Sequence, residues 1–129
     1  MPKTTINPPG FPPPLAPYSL ATRAGDTVYV SGVLAMNANG TVAPGDVRAQ
    51  TRFVIESIRT ILIAAGGNLS DIANNAIFLK SLGDYAAFNE VYREYFGNEP
   101  PARHCIRADL VREEFLVEIA STAHIPLPR

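Results

Sequence analysis

Apolar positions along this chain switch between a two-residue and a helical spacing, and each switch predicts an element. Ser19 to Arg23 and Thr27 to Ser31 alternate around Gly25-Asp26, which predicts a β-hairpin. Asn37 to Gly40 supplies another turn. From Asp46 the spacing becomes helical. Val54, Ile58, Ile61, Leu62 and Ala65 fall on one face, with Asp46 placed as the N-cap and Gly66-Gly67 as the stop. Asn75 to Ser81, through Ala76, Ile77, Phe78 and Leu79, predicts a buried strand. Asp84 is placed to cap a second helix, whose stripe is Phe88, Val91, Tyr92, Tyr95 and Phe96 and which Gly97 ends. Arg103 to Val111 and Phe115 to Ile125 predict the last two strands, joined by Arg112-Glu113-Glu114. The order ββ-α-β-α-ββ predicts an α+β sandwich: an antiparallel or mixed sheet with both helices on one face.

Composition narrows the class. Six of the twelve prolines lie in residues 8–17, so this stretch is an extended loop leading to Tyr18. The 129 residues suffice for one domain, 1–129. A net charge of −1 and the lack of a basic run argue against a nucleic-acid partner, because a phosphate backbone asks for a cationic stripe. Apolar content of 47 % against 18 % charged residues suggests that other subunits cover part of the surface. The single cysteine excludes an internal disulfide and fits a reducing compartment. Neither a signal-peptide pattern nor an apolar run of about 20 residues is present, which predicts a cytoplasmic protein with no membrane partner.

Two residues stand out chemically. Arg103 lies on a predicted strand two residues from Cys105, so Arg103, Cys105 and Arg107 share one strand face and His104 and Ile106 the other. A guanidinium fixed beside apolar neighbours suits a planar anion such as a small carboxylate. Glu118 sits inside Leu116-Val117-Glu118-Ile119-Ala120, the most apolar strand. Burial there would raise its pKa and make it a general acid and base near neutral pH; a strand-edge glutamate reaching solvent or an arginine is the other reading. If residues 112–114 form a tight turn, Glu118 lies opposite Ala108 and Arg103 opposite Ala123. Arg103 and Glu118 are then roughly 15 Å apart, too far to grip one small ligand within a chain.

The remaining candidates are weaker. Cys105 reads as a small core hydrophobe, or as a nucleophile whose thiolate the flanking arginines stabilise. His104 points to the other strand face from Cys105, which argues against a shared base or metal; no metal site is expected. Tyr18, Ser31-Gly32 and Asn89 are polar or flexible features beside apolar segments, each also explained as ordinary structure. Gly32 would let a ligand approach the backbone closely.

Several of these residues recur as motifs. Leu15-Ala16-Pro17-Tyr18, Val30-Ser31-Gly32, Ala49-Gln50-Thr51-Arg52, Ala64-Ala65-Gly66-Gly67, Phe88-Asn89-Glu90-Val91-Tyr92, Pro101-Ala102-Arg103-His104-Cys105 and Val117-Glu118-Ile119 succeed one another over nearly the whole chain. In this order and spacing they resemble the Rid family, also called YjgF or endoribonuclease L-PSP. Ala49-Gln50-Thr51-Arg52, Tyr85-Ala86-Ala87 and Val117-Glu118-Ile119-Ala120 through Ala123-His124-Ile125 look most like its RutC branch.

The resemblance implies a chorismate-mutase-like fold and a homotrimer with a central barrel and ligand clefts between subunits. It implies hydrolysis of small enamine or imine acids to the aldehyde or keto acid plus ammonia, without a cofactor. By that likeness Arg103 holds the substrate carboxylate and Glu118 positions or activates water. Tyr18, Ser31, Gly32, Asn89 and the backbone at Cys105 would shape the pocket, leaving Cys105 a contact and not a nucleophile. The implied substrate is 3-aminoacrylate for the RutC branch and 2-aminoacrylate for the core branch. His104 and Ser57 depart from the family's usual residues, which bears on the substrate and not on the catalytic pair. A non-catalytic ligand-binding or chaperone-like module on the same scaffold is the alternative. The ribonuclease of the older family name fits poorly with the charge and the lack of paired histidines.

Overall fold

Each apolar stripe of the sequence finds a partner in the computed structural model, which describes residues 2–128. Helix α1, Val47–Ala64, starts where the Asp46 side chain accepts a hydrogen bond from the Ala49 amide (3.1 Å) and ends ahead of Gly66, whose φ is +90°. Val54, Ile58, Ile61 and Leu62 are fully buried along it. Each contributes about 1.5–3 kcal/mol of transfer free energy relative to exposure. Helix α2, Tyr85–Phe96, buries Phe88, Val91, Tyr92 and Phe96. It lies against α1, with Arg48 paired to Glu90 at 2.9 Å and Arg52 to Glu94 at 2.8 Å on the solvent side. Asp84 precedes α2 but makes no side-chain cap. A 3-10 turn, Leu82–Asp84, leads in instead, and Ser81 Oγ accepts the Gly83 amide.

The strands are β1 (Thr4–Ile6), β2 (Ala21–Ala24), β3 (Thr27–Leu34), β4 (Ile72–Leu79), β5 (Ala102–Arg107) and β6 (Val117–His124). They form one sheet in the order β1-β2-β3-β6-β4-β5, antiparallel throughout except for the parallel pair β4–β5. Val28, Val30 and Val33, Ile77 and Leu79, and Val117, Ile119 and Ala123 are buried on the face that carries the helices. The expected α+β sandwich with a mixed sheet and helices on one face is the observed architecture.

The closing hairpin is a correction. β5 and β6 do not pair: β6 inserts between β3 and β4, and β5 joins β4 in parallel after the α2 crossover. The Arg103–Ala123 and Glu118–Ala108 registers therefore do not exist. β6 has one charged residue before its terminal histidine and can be flanked on both sides. β5 carries Arg103, His104 and Arg107, which an edge tolerates. A parallel neighbour needs a long crossover, and α2 supplies it. Both strands are also shorter than expected, because residues 108–116 carry the chain from the edge strand β5 past β4 to the central β6. The buried Gln50 side chain fixes that connection to α1: it donates to the Glu114 carbonyl (3.0 Å) and accepts the Leu116 amide (2.9 Å). β4 starts at Ile72, three residues before the expected point, and β1 was not anticipated. No helix among the described residues is long and apolar enough to cross a membrane.

Candidate active site

In β3 the register shifts between Val30 and Val33, so that Ser31 and Gly32 together face Ala120 of β6. This two-against-one bulge lets both Val30 and Val33 turn inward. It also brings Leu34 opposite Glu118, on the sheet face away from the helices. The Glu118 carboxyl group lies directly over Gly32. A Cβ built on Gly32 would come within 2.9 Å of Glu118 Cδ and collide with Oε2. Gly32 is thus required for the approach of a side chain, which is a stronger role than the turn or ligand-approach glycine expected.

Glu118 is half-buried between Leu34 of β3 and Phe78 of β4. Burial pushes its pKa above the ordinary glutamate range. With β6 between β3 and β4, Glu118 is not a strand-edge glutamate. Beside the bulge, under the proline-rich loop, a cleft is lined by Leu15, Tyr18, Ser31, Gly32, Met36 and Ser57. The Ser31 hydroxyl donates to the Ser19 carbonyl at 2.6 Å, leaving its lone pairs as the polar feature it can offer. Tyr18 is exposed, as is Leu15.

Arg103 occupies a different place. It shares a cross-strand row with Asn75 of β4 and Ser121 of β6, both buried beneath the helices, so it faces α2. Its guanidinium carbon lies 4.8 Å from the centre of the Tyr92 ring, 5.8 Å from that of Tyr85 and 5.9 Å from that of Phe88. One Nη donates to the Tyr85 hydroxyl at 3.0 Å. An open groove beside it is lined by Tyr85, Asn89, Tyr92, Arg93, Pro101 and Arg103. Cys105 follows on the same face. Burial raises its thiol pKa and Arg103 only partly opposes the rise, which weakens the nucleophile reading. Among the described residues, no group of three or more His, Cys, Asp or Glu side chains comes together to hold a metal.

The expected residues therefore form two groups: Tyr18, Ser31, Gly32 and Glu118 around the bulge, and Asn89, Arg103 and Cys105 beside α2. Glu118 belongs to the row Ile106–Phe78–Glu118, three residues along from the row Arg103–Asn75–Ser121. Two strand spacings of ~4.8 Å and three rises of ~3.3 Å separate the Arg103 and Glu118 backbones by roughly 14 Å, with side chains on opposite faces. One chain does not bring them together. Sequence reasoning missed the aromatic cage around Arg103. Phe88 and Tyr92 read as core stripe, and nothing local linked Tyr85 to a strand 18 residues on.

Relatives of the chain match it over nearly its whole length. The endoribonuclease L-PSP family pattern matches residues 10–125. The chain belongs to the endoribonuclease L-PSP (Rid/YjgF) family. Within it, 3-aminoacrylate deaminase RutC of Acinetobacter baylyi is 53% identical over 126 residues, covering 97% of this chain and all of the relative. RidA of the Antarctic bacterium Psychrobacter sp. PAMC 21119 superposes with a TM-score of 0.87 at 33% identity, over 95% of this chain and 99% of that one. TdcF of E. coli, solved with bound serine, gives 0.85 at 29% identity over 94% and 98%. The chain is thus a Rid-family protein near the RutC branch.

Proposed function

We propose that this Rid-family chain hydrolyses small enamine or imine carboxylic acids of the 3-aminoacrylate type, releasing ammonia and the aldehyde acid. The observation that carries the reading is the Glu118 carboxyl group, held half-buried over Gly32 with its pKa raised by burial. The near-full-length identity to a protein named 3-aminoacrylate deaminase supports the substrate class. An E. coli relative solved with serine is consistent with a pocket for small amino-acid-like carboxylates.

The chemistry asks little of the protein. Protonation of the enamine carbon next to the carboxylate gives an iminium; water then adds to the nitrogen-bearing carbon, and the carbinolamine loses ammonia. Protonated Glu118 delivers the first proton, and the resulting carboxylate takes one from the attacking water. Arg103 holds the substrate carboxylate in its fork so that water meets the electrophilic carbon at reaction distance. Tyr18, Ser31, Gly32 and Asn89 line the walls, and the backbone at Cys105 lies beside the carboxylate. No cofactor enters this scheme.

Arg103 and Glu118 serve one substrate only if they come from different subunits. A homotrimer with a cleft at each subunit junction satisfies that requirement. The sheet face away from the helices supports it: Tyr29 and Ile106 are half-exposed there, beside Leu34, Ala76, Phe78 and Ala120, an apolar surface suited to cover by other copies. The ribonuclease reading gains no support from the histidines. His104 and His124 lie four residues and two strands apart in register, roughly 16 Å, too far to act as an acid–base pair within a chain. A cytoplasmic setting accords with a single free thiol.

The test is ammonia release from 3-aminoacrylate and 2-aminoacrylate, each generated in situ. The reading expects hydrolysis well above the uncatalysed rate, faster for the 3-amino isomer. No acceleration of either would refute it and favour a ligand-binding module.

A further inference from the structure

On β4 and β6 the helix-facing residues are aliphatic except in one row. There, three adjacent strands each present a polar residue: Arg103 on β5, Asn75 on β4 and Ser121 on β6. Around them stand Ile77, Leu79, Val117, Ile119 and Ala123, all buried. Asn75 is 0% exposed and Ser121 2%, so neither reaches solvent. They satisfy each other in a directed chain. Ser121 Oγ donates to Asn75 Oδ1 at 2.6 Å, and Asn75 Nδ2 donates to the Tyr92 hydroxyl at 3.0 Å. The Tyr92 ring lies closer to the Arg103 guanidinium than either of the other two aromatic rings.

An apolar row of the same shape would pack this core without a desolvation penalty. What the polar row adds is direction. A phenylalanine at position 92 could slide and tilt on α2, whereas the Asn75 amide anchors the phenol oxygen to the sheet. The ring then offers the guanidinium a fixed platform, and the Tyr85 hydroxyl holds its edge. We propose that Ser121, Asn75 and Tyr92 are positioning residues that hold the Arg103 fork ready for a ligand carboxylate. This inference rests on the reading of Arg103 as the carboxylate clamp and assigns its support. Of these four residues only Arg103 meets the carboxylate; Ser121 and Asn75 act through Tyr92, whose ring and hydroxyl both neighbour the guanidinium.

Three proteins test it against wild type: Tyr92→Phe, Ser121→Ala, and the fully apolar Asn75→Leu/Tyr92→Phe/Ser121→Ala. Propionate is titrated into each trimer or monomer as it forms, with propionamide as the uncharged control. The order of the Arg103 Nε–H bond is read by NMR, with Arg103→Ala giving the assignment. Thermal midpoints are recorded alongside. The inference expects propionate binding to weaken about five- to tenfold in Tyr92→Phe, the value of one buried hydrogen bond transmitted to the clamp. The Nε–H order parameter should fall, and propionamide binding should be unchanged. With 3-aminoacrylate, kcat/KM should fall by at least the loss in propionate affinity, because the loosened fork both binds and orients the substrate carboxylate. The triple variant should show the same loss even if its melting temperature equals or exceeds that of wild type, which a purely structural network would not produce. Should Tyr92→Phe fail to fold, Ser121→Ala carries the same expectation from the far end of the chain.

Wild-type propionate affinity together with an ordered Arg103 in the folded variants would overturn the inference. So would propionate binding that survives Arg103→Ala. If wild type releases no ammonia but its propionate binding falls in Tyr92→Phe, the deaminase reading fails and the positioning role stands.

Discussion

Gly32→Ala isolates the contact on which the proposed chemistry depends. The added methyl carbon would lie 2.9 Å from Glu118 Cδ and nearer still to Oε2. Ordinary carbon contacts begin near 3.5 Å, so the carboxyl group must retreat by about 0.5–1 Å. Gly32 does not have a positive φ, so alanine adds no backbone strain at this position. The obstructing group is the end of a side chain, which can swing aside for about 0.5–1.5 kcal/mol of rotamer strain. Glycine-to-alanine replacement returns about 0.4–1 kcal/mol through the unfolded chain, so net stability should change by less than about 1 kcal/mol. Catalysis has no such tolerance: a misplacement of about 1 Å costs on the order of 10²-fold in rate. We therefore expect kcat for ammonia release to drop about 100-fold while the melting temperature moves by only a few degrees. The cycle with Glu118→Ala checks the cause, since adding Gly32→Ala to that variant should remove nothing further. A folded Gly32→Ala protein with kcat within twofold of wild type would refute the placement of Glu118 as the proton carrier.

Further outcomes follow from the same geometry. Burial raises the Glu118 pKa in the folded state, so its contribution to stability is fully present below the unfolded pKa and lost as pH rises through the folded one. Glu118→Gln should accordingly melt higher than wild type at pH 7–8, with the gap closing below the ordinary glutamate range near ~4.3; a pH-independent difference would contradict this. Cys105→Ala should lower kcat/KM by less than about tenfold, as befits a contact, whereas loss of a nucleophile would abolish turnover. Asp46→Ala removes the cap on the Ala49 amide and should destabilise the fold by about 1 kcal/mol in urea titration, without altering KM.

The helices and the first hairpin were legible because their determinants are local. Asp46 and Gly66 bracket α1 within the chain segment they terminate, and Gly25-Asp26 sits between the two strands it turns. The β5–β6 arrangement was not legible. Arg112-Glu113-Glu114 between two apolar runs carries every mark of a hairpin turn, yet pairing is decided by which strand the sheet can bury. β6, nearly free of charge, takes the centre, and the arginine-bearing β5 takes the edge. The separation of Arg103 from Glu118 therefore follows from the intervening β4 and not from a hairpin register. The same distinction holds at the site. Glu118 was visible as a carboxylate among aliphatic residues, and Arg103 as a guanidinium beside a cysteine. Asn75 and Ser121 gave a fainter signal, polar residues at inward positions of apolar strands. Their partner Tyr92 lies 17 residues from Asn75, on a helix that must first fold against the sheet. The bulge at Ser31-Gly32 became meaningful only once β6 was seen beside it.

The central claim, a deaminase whose Arg103 and Glu118 come from different subunits, is tested most directly by mixing two inactive proteins. Arg103→Ala and Glu118→Gln chains are unfolded together, refolded at equal concentration, and assayed for ammonia release from 3-aminoacrylate. If sites form between neighbours, random assembly leaves one junction in four with both native residues, and about a quarter of wild-type activity should return. Activity no greater than the sum of the two separate proteins, from a mixture shown to contain mixed assemblies, would contradict the account.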